Sequence, residues 1–502
     1  MIAEHLPALQ VVVPLIAAPL CVLLRGRDWA WAAATLVAWA TFGISCLLLE
    51  RVLAEGVISY HLGGWAPPWG IEYRLDAVNG FVLLIVAAIG AVTLPFARQS
   101  VLAEFGRDRD YLFYSALLLC LTGLLGVTIT GDAFNLFVFL EISSLSSYIL
   151  ISTGRHRRAL HAAFQYLVLG TIGATFIVIA IGLLYETTGT LNMADIAARV
   201  HTVGAPRTVK VAFAFFTVGV CLKLALFPLH IWLPNAYAYA PSVVSAFLAA
   251  TATKVALYAL LRVCFTIFGV EFSFGQMPLG EILLVLALCG MFVAAIVAIF
   301  QDDVKRMLAY SSVSQIGYMI LGVSFASVTG LTSGIIHLFN HAMIKGGLFL
   351  VMGCIAYRIG SVRIDRMDGL GKRMPWTMAA FVAGGLGLIG VPLTVGFVSK
   401  WYLVLAALEK GWWPVAALVV ACSLIAVVYV WRVVEHAYFR DAPVLARAAG
   451  AAPNLDAPGE APLSLLAPAW VLIGASIWFG IDADFTAGVA HRAAATLLGV
   501  AP

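Results

Sequence analysis

Apolar runs long enough to cross a bilayer recur along this chain from one end to the other. A spanning helix needs about 20 such residues, and a run of that length has no place in an ordinary soluble core. With 502 residues, 62% hydrophobic and 11% charged, the chain lacks the polar side chains to coat a soluble domain of this size. It reads as an all-α polytopic membrane protein. About 14 spans are expected, near 7–24, 29–49, 76–96, 111–130, 132–153, 161–185, 209–238, 242–264, 279–300, 306–326, 331–357, 376–404, 411–434 and 462–480. The first run has an acidic start (Glu4) and no evident cleavage site, so it reads as a retained helix rather than a signal peptide. Between spans two and three, Tyr60–Gly70 is rich in Gly, Pro and Trp and reads as an ordered interfacial loop or short hairpin. Residues 440–461, rich in Ala and Pro, read as a linker or surface helix.

Lys and Arg residues mark the faces. Eighteen of the thirty fall in connections after odd-numbered spans and eight on the other side. The positive-inside rule then makes the odd connections cytoplasmic and both termini external, in a plasma (inner) membrane. The weak net charge of +4 gives no reason to expect nucleic acid as a partner. All eight cysteines lie in apolar runs without CxxC or Cys/His clustering, so no disulfide frame, metal site or other cofactor is expected.

The four remaining basic residues, Lys223, Lys254, Lys345 and Lys400, lie inside spans, as does Glu141. A charge at the bilayer centre costs at least ~2.5–3.5 kcal/mol, so five of them point to a pathway for ions or protons. Glu141 lies about half-way along its span. Burial disfavours an ammonium and a nearby carboxylate favours it, so a lysine alternately near and far from Glu141 can load and release a proton. Lys223 and Lys254 sit too deep to reach the interface by snorkelling. His337, His341 and Lys345 follow one another at i, i+4, i+8 and share one helix face, a plausible proton relay. Lys400 is the terminal station or, being nearest a helix end, a snorkelling lysine. His230 either lines a hydrated cavity or caps a helix. Asp132, Glu186, Asp302, Asp303 and Glu435 are expected to be solvated or paired with local arginines. The polar run Ser311, Ser312, Ser314, Gln315 holds water or binds neighbouring helices.

Two spans carry proline in mid-run, in Leu226-Phe227-Pro228-Leu229-His230 and in Gly390-Val391-Pro392. Each helix is expected to break there. The two broken spans, seven and twelve, lie five apart, the pattern of an inverted repeat. The domain reading is 1–110, an N-terminal three-helix region with the interfacial loop; 111–266 and 279–436, two inverted five-helix repeats (spans four to eight and nine to thirteen); and 437–502, a linker and C-terminal helix.

Taken together, these segments resemble the antiporter-like subunits shared by Mrp-type Na⁺/H⁺ antiporters and respiratory complex I, over spans three to thirteen. The glutamate of span five in that family matches Glu141, and the lysines of spans seven and eight match Lys223 and Lys254. The His-x-x-x-His-x-x-x-Lys helix matches His337, His341 and Lys345, and the ionisable residue of span twelve matches Lys400. The wording Gly131-Asp132-Ala133-Phe134-Asn135-Leu136-Phe137-Val138-Phe139-Leu140-Glu141 is similar to the D-type subunits of Mrp antiporters. The stretch Pro392–Lys400 departs from that wording and resembles divergent D-like and hydrogenase-linked relatives. The resemblance implies a proton-translocating subunit of a multi-subunit Na⁺/H⁺ antiporter, with other membrane subunits, protons and Na⁺ as partners. The alternative it leaves is a proton-pumping subunit of complex I or of a membrane-bound hydrogenase, without a redox site of its own.

Overall fold

A computed structural model describes residues 2–25, 28–106, 108–203, 206–441 and 459–500. The chain is mostly helical. Six helices come first: α1 (Leu6–Leu23), α2 (Trp29–Glu55), α3 (Ala77–Glu104), α4 (Asp110–Ile129), α5 (Ala133–Ser152) and α6 (Arg158–Thr188). A short α7 (Met193–Val203) precedes α8 (Arg207–Leu224), α9 (Trp232–Tyr239) and α10 (Ser242–Leu261), which runs on as a π-helix over Arg262–Ile267. Next come α11 (Leu279–Ile299), α12 (Val304–Ser324), α13 (Val328–Ile359) and a single turn, α14 (Leu370–Arg373). The chain closes with α15 (Pro375–Ile389), α16 (Val395–Glu409), α17 (Trp413–Val434), α18 (Leu463–Ile481) and α19 (Asp484–Leu498).

Eleven helices among the described residues are long and apolar enough to cross a membrane. The expected spans seven, ten and twelve are not among them. Two are split in the middle, into α8/α9 and α15/α16, and α12 is made too polar by Ser311, Ser312, Ser314 and Gln315. The expected loop after α2 is a hairpin: β1 (Ile58–His61) pairs antiparallel with β2 (Glu72–Leu75), Ile58 opposite Leu75. Glu72 fastens it, accepting from Ser59 at 2.6 Å and from Asn192 at 2.8 Å. Helices α7 and α19 have no counterpart in the expected spans. Both are short and mixed in polarity, so hydropathy alone passes over them. Most of the expected linker, 442–458, lies outside the described residues.

Both proline breaks follow from backbone chemistry. Proline has no N–H and its ring collides with the carbonyl four residues back. Four residues before Pro228 is Leu224, where α8 stops with Ala225 in the left-handed region (φ 59°). Four before Pro392 is Leu388, and α15 stops one residue later. Carbonyls at the ends of both broken helices take side-chain donors. Trp232 Nε1 donates to the Leu222 carbonyl at 3.0 Å, and the Lys400 amine takes those of Leu388 and Ile389.

Asp132 and Asp303 correct an expectation. They are N-caps rather than solvated or arginine-paired carboxylates, because the first amides of a helix need acceptors. Asp132 accepts from the Asn135 amide at 2.7 Å and Asp303 from the Arg306 amide at 2.9 Å. Asp302 and Glu435 do pair with arginines, Arg432 at 3.6 Å and Arg440 at 2.9 Å. Lys305, placed above in a connection, is instead buried on the first turn of α12 and donates to the Ala240 carbonyl at 3.2 Å.

Helix α13 is the hub, packing against α3, α10, α12, α15, α16, α18 and α19. The return of α16 past α15 depends on Gly396, where any Cβ would run into the Gly387 carbonyl. Gly396→Ala is expected to lower the melting temperature of the detergent-solubilised protein by several degrees. Gly182→Ala, where a Cβ meets nothing within 4 Å, is expected to leave it unchanged. Equal melting of the two variants would contradict this packing account.

Candidate functional site

The buried ionisable residues of the row are set on five helices: α5, α8, α10, α16 and the hub α13 itself. Glu141 (α5) and Lys223 (α8) form an ion pair, Nζ to Oε1 3.0 Å, and the same amine donates to Ser144 Oγ at 2.8 Å. Lys223 is buried, while the Glu141 side chain keeps 25% of its exposure. Lys254 (α10) is fully buried and donates to the Ala249 carbonyl of its own helix and to Thr253 Oγ1 at 3.4 Å. Lys345 (α13), also fully buried, crosses to α12, where it donates to the Leu308 carbonyl at 2.8 Å and to the Ser311 hydroxyl.

The shared face of His337, His341 and Lys345 is borne out by α13. The two imidazole rings stack, with centroids 6.3 Å apart and planes within 10°. His337 Nδ1 lies 2.8 Å from Ser399 Oγ on α16. His337 Nε2 and both ring nitrogens of His341 are buried without a protein partner, as are Asn340 Oδ1 and Thr332 Oγ1. Buried polar atoms in that state are rare, so a cluster of five along one helix is a marked feature. Lys400 follows Ser399 and is buried. It binds the end of α15, at 2.8 Å to Leu388 and 2.9 Å to Ile389, beneath the Tyr318 ring (4.9 Å to its centroid). Its direction, onto the carbonyls of a helix C-terminus, replaces the snorkelling alternative and matches the negative end of the helix dipole.

Glu141 with Lys223 is in direct contact, and His337 joins the Lys400 region through Ser399 and Tyr318, whose ring lies 5.6 Å from that of His337. The charges of Lys254 and Lys345 are both within electrostatic reach of His341. Lys223 and Lys254 are not joined by any hydrogen bond or ion pair among the described residues. Stacked Tyr166 and Trp232 (3.8 Å) and Tyr237 occupy the region between α6, α9 and α10. The sequence offers Glu141 to Lys223 or to Lys254. It pairs with Lys223, and the other buried amines of the row rest on carbonyls and hydroxyls. His230 stacks on Phe227 (5.3 Å) with its Nδ1 buried and unpartnered, so it does not cap the broken helix through that atom.

A second buried ion pair was missed from sequence. Arg262, at the end of α10, binds Asp76, the N-cap of α3, at 2.6 Å, each side chain 8% exposed. Burial alone would raise the Asp76 pKa. The Arg262 charge and the hydrogen bonds given to the carboxyl outweigh that and hold it below its ordinary value. The signal was present: Lys254, Tyr258 and Arg262 repeat the i, i+4, i+8 spacing seen in α13.

Residues 130–426 match the family described as "NADH:quinone oxidoreductase/Mrp antiporter, TM". This chain belongs to that family. The matched stretch contains all seven sequence-selected site residues. Among relatives, the chain is similar to the N-type subunit of the NADH-quinone oxidoreductase of Desulforudis audaxviator, 42% identical over 93% of this chain and 94% of the relative. It is also similar to the D-type subunit of the Na(+)/H(+) antiporter of Alkalihalophilus pseudofirmus, 32% identical over 79% of each. Among solved structures it is similar to a chain of the Mrp complex from Dietzia sp., with a TM-score of 0.89, 28% identity, and 99% and 98% of the two chains covered.

Each charge of the Glu141–Lys223 pair is balanced by the other, so removing one partner strands the second. Glu141→Gln and Lys223→Met are each expected to destabilise by roughly 1–3 kcal/mol, with Glu141→Gln at the low end because that carboxylate is partly solvated. The double variant is expected to recover part of the loss. Unfolding of the solubilised protein measures all three, and a double variant as unstable as the sum of the singles would refute the pairing argument.

Proposed function

We propose that this chain is the proton-translocating membrane subunit of a multi-subunit monovalent cation (Na⁺)/H⁺ antiporter. Protons move along the row Glu141, Lys223, Lys254, His337/His341, Lys345, Lys400. The observation that carries the reading is the Glu141–Lys223 ion pair at the head of a row of buried amines and imidazoles. Such groups are expensive in a bilayer and serve pathways when they occur. The unpartnered atoms on His337, Asn340 and His341 make that stretch the place for water to join the stations.

The full fold in this reading has fourteen crossings and two inverted five-helix repeats, 111–266 and 279–436, between the N-terminal region 1–110 and the C-terminal segment 437–502. Matching features five crossings apart support it. Both α5 and α12 open on an aspartate N-cap, and each cap forms an antiparallel bridge with the segment after the next long helix, Asp132 with Asn192 and Asp303 with Arg363. Those long helices, α6 and α13, have 31 and 32 residues. The breaks after α8 and α15 both turn through a left-handed residue, Ala225 and Gly390. Contacts between connections keep to parity. Asp76 meets Arg262 and Glu72 meets Asn192 on one face; Arg98 meets Asp28, His436 meets Asp368 and Arg432 meets Asp302 on the other. The Lys/Arg asymmetry then sets the second face in the cytoplasm of an inner membrane, with both termini outside.

The test is cation-gradient-driven ΔpH in vesicles from cells making the complete complex. Lys223→Ala is expected to lower the rate by roughly a hundredfold or more, the scale of losing a proton-transfer group, with assembly intact. Wild-type activity in that variant would refute the reading. A second reading is a proton-pumping subunit of complex I or of a membrane-bound hydrogenase, favoured by the 42% identity to a relative named for quinone oxidoreduction. Purification of the tagged protein in mild detergent separates the two. Small antiporter-type partners support the first, and iron–sulfur or quinone-binding partners support the second.

A further inference from the structure

The Asp76–Arg262 pair plays no part in the row of stations, yet it is buried, tightly held and placed beside a cavity of about 560 Å³. The cavity is lined by Arg74, Thr130, Thr266 and Glu271 together with the pair itself and Tyr258. Its walls come from the hairpin, the α4–α5 connection, α7, the π-helical end of α10 and the end of α19. Arg74 keeps 45% of its side-chain exposure, so the cavity's rim is open at the hairpin face.

Arg262 spends its donors on three groups. Nη2 donates to Asp76 at 2.6 Å, Nε to the Tyr258 hydroxyl at 3.0 Å and Nη1 to Thr266 Oγ1 at 3.3 Å. Asp76 Oδ1 also accepts from the Val78 and Asn79 amides, at 2.9 and 3.2 Å. Tyr258 is fully buried; its oxygen accepts from the guanidinium and its O–H remains a donor. One turn further in on the same face of α10 stands Lys254, roughly 12 Å along the axis from Arg262. The π-turn begins at Arg262 itself, a backbone feature frequent at functional positions.

We propose that the cavity is an aqueous vestibule for protons on the hairpin face, that Asp76 and Arg262 form its gate, and that Tyr258 links the gate to Lys254. The inference rests on the proton-translocating reading above. With the pair closed, the guanidinium occupies the Tyr258 oxygen and fills the narrow end of the vestibule. When the pair parts, water passes Tyr258 toward Lys254, whose amine is turned the other way onto the Ala249 carbonyl. The tyrosine hydroxyl then relays a proton between vestibule water and the water that reaches that amine, releasing one as it accepts one. No net charge remains on the tyrosine after the exchange.

The test uses the complete complex, with this chain's native cysteines replaced, in vesicles of both orientations. A membrane-impermeant cationic methanethiosulfonate is the probe. Tyr258→Cys combined with Arg262→Ala is expected to react from the hairpin face roughly tenfold or more faster than from the opposite face, and faster than Tyr258→Cys with Arg262 intact, as an opened equilibrium requires. Equal rates from both faces, a preference for the opposite face, or no reaction from the hairpin face would overturn the proposal. Tyr258→Phe keeps the ring and removes the hydroxyl. It is expected to assemble normally and to slow ΔpH formation several-fold, and an unchanged rate would also overturn the link. The labelling result does not depend on transport. If Lys223→Ala abolishes transport while Tyr258→Phe does not alter it, the vestibule is wrong and the function stands. If Lys223→Ala transports normally, the function itself fails.

Discussion

Everything in this fold turns on finding oxygen atoms for amines that have left water. An ammonium in a low-dielectric interior is tolerable when its protons are all directed at acceptors, and very costly otherwise. Lys223 finds a carboxylate and a hydroxyl, Lys254 and Lys345 find a carbonyl and a hydroxyl each, and Lys400 finds two carbonyls. Lys254 and Lys345 share carbonyls inside intact helices as second donors, whereas Lys400 takes carbonyls that a helix has released.

A proline break makes that release. Pro392 cannot donate to the Leu388 carbonyl, and that atom is one of the two that hold Lys400. Pro228 similarly ends α8 just past Lys223, and the Leu222 carbonyl next to that lysine accepts from an indole N–H as well as from the Ala225 amide. Irregular backbone at membrane depth survives where protein or water satisfies it. At Pro392 break and lysine are therefore one device: the break supplies acceptors and the lysine keeps the break from being a defect. The same device recurs where α9 ends, with Lys305 on the Ala240 carbonyl.

How much of this could be read from residues alone depends on whether the signal was local. The apolar runs, the two prolines and the His337–His341–Lys345 spacing are local, and they located the breaks and the shared face on α13. The Glu141–Lys223 contact was legible because a single acid deep within the spans leaves few partners to choose from. Lys305 was misplaced because it lies two residues from Asp303 in a stretch whose composition looks like a connection. Only the fold shows that α12 starts earlier and folds that lysine inward. Asp76–Arg262 joins residues 186 positions apart, each at a span end, where charge is ordinary. Helices α7 and α19 are bound by packing, which hydropathy does not register.

The distribution of partners also bears on direction in the proposed pathway. Lys223 alone faces a full negative charge, so a proton arriving there changes the net charge of a pair. Lys254 and Lys345 lie within each other's field and within that of His341, with no carboxylate among them. Like charges in such surroundings disfavour one another, so in the proposed pathway the group holds few protons at once. A proton entering at one end of that cluster therefore favours the departure of another. The amines need not move far: exchange of one acceptor for the next is enough, which is a reason for hydroxyls such as Ser144, Thr253 and Ser311 to stand beside every one of them except Lys400. At Lys400 the neighbour is the Tyr318 ring, which shields the amine, and the hydroxyl of the preceding residue, Ser399, touches His337.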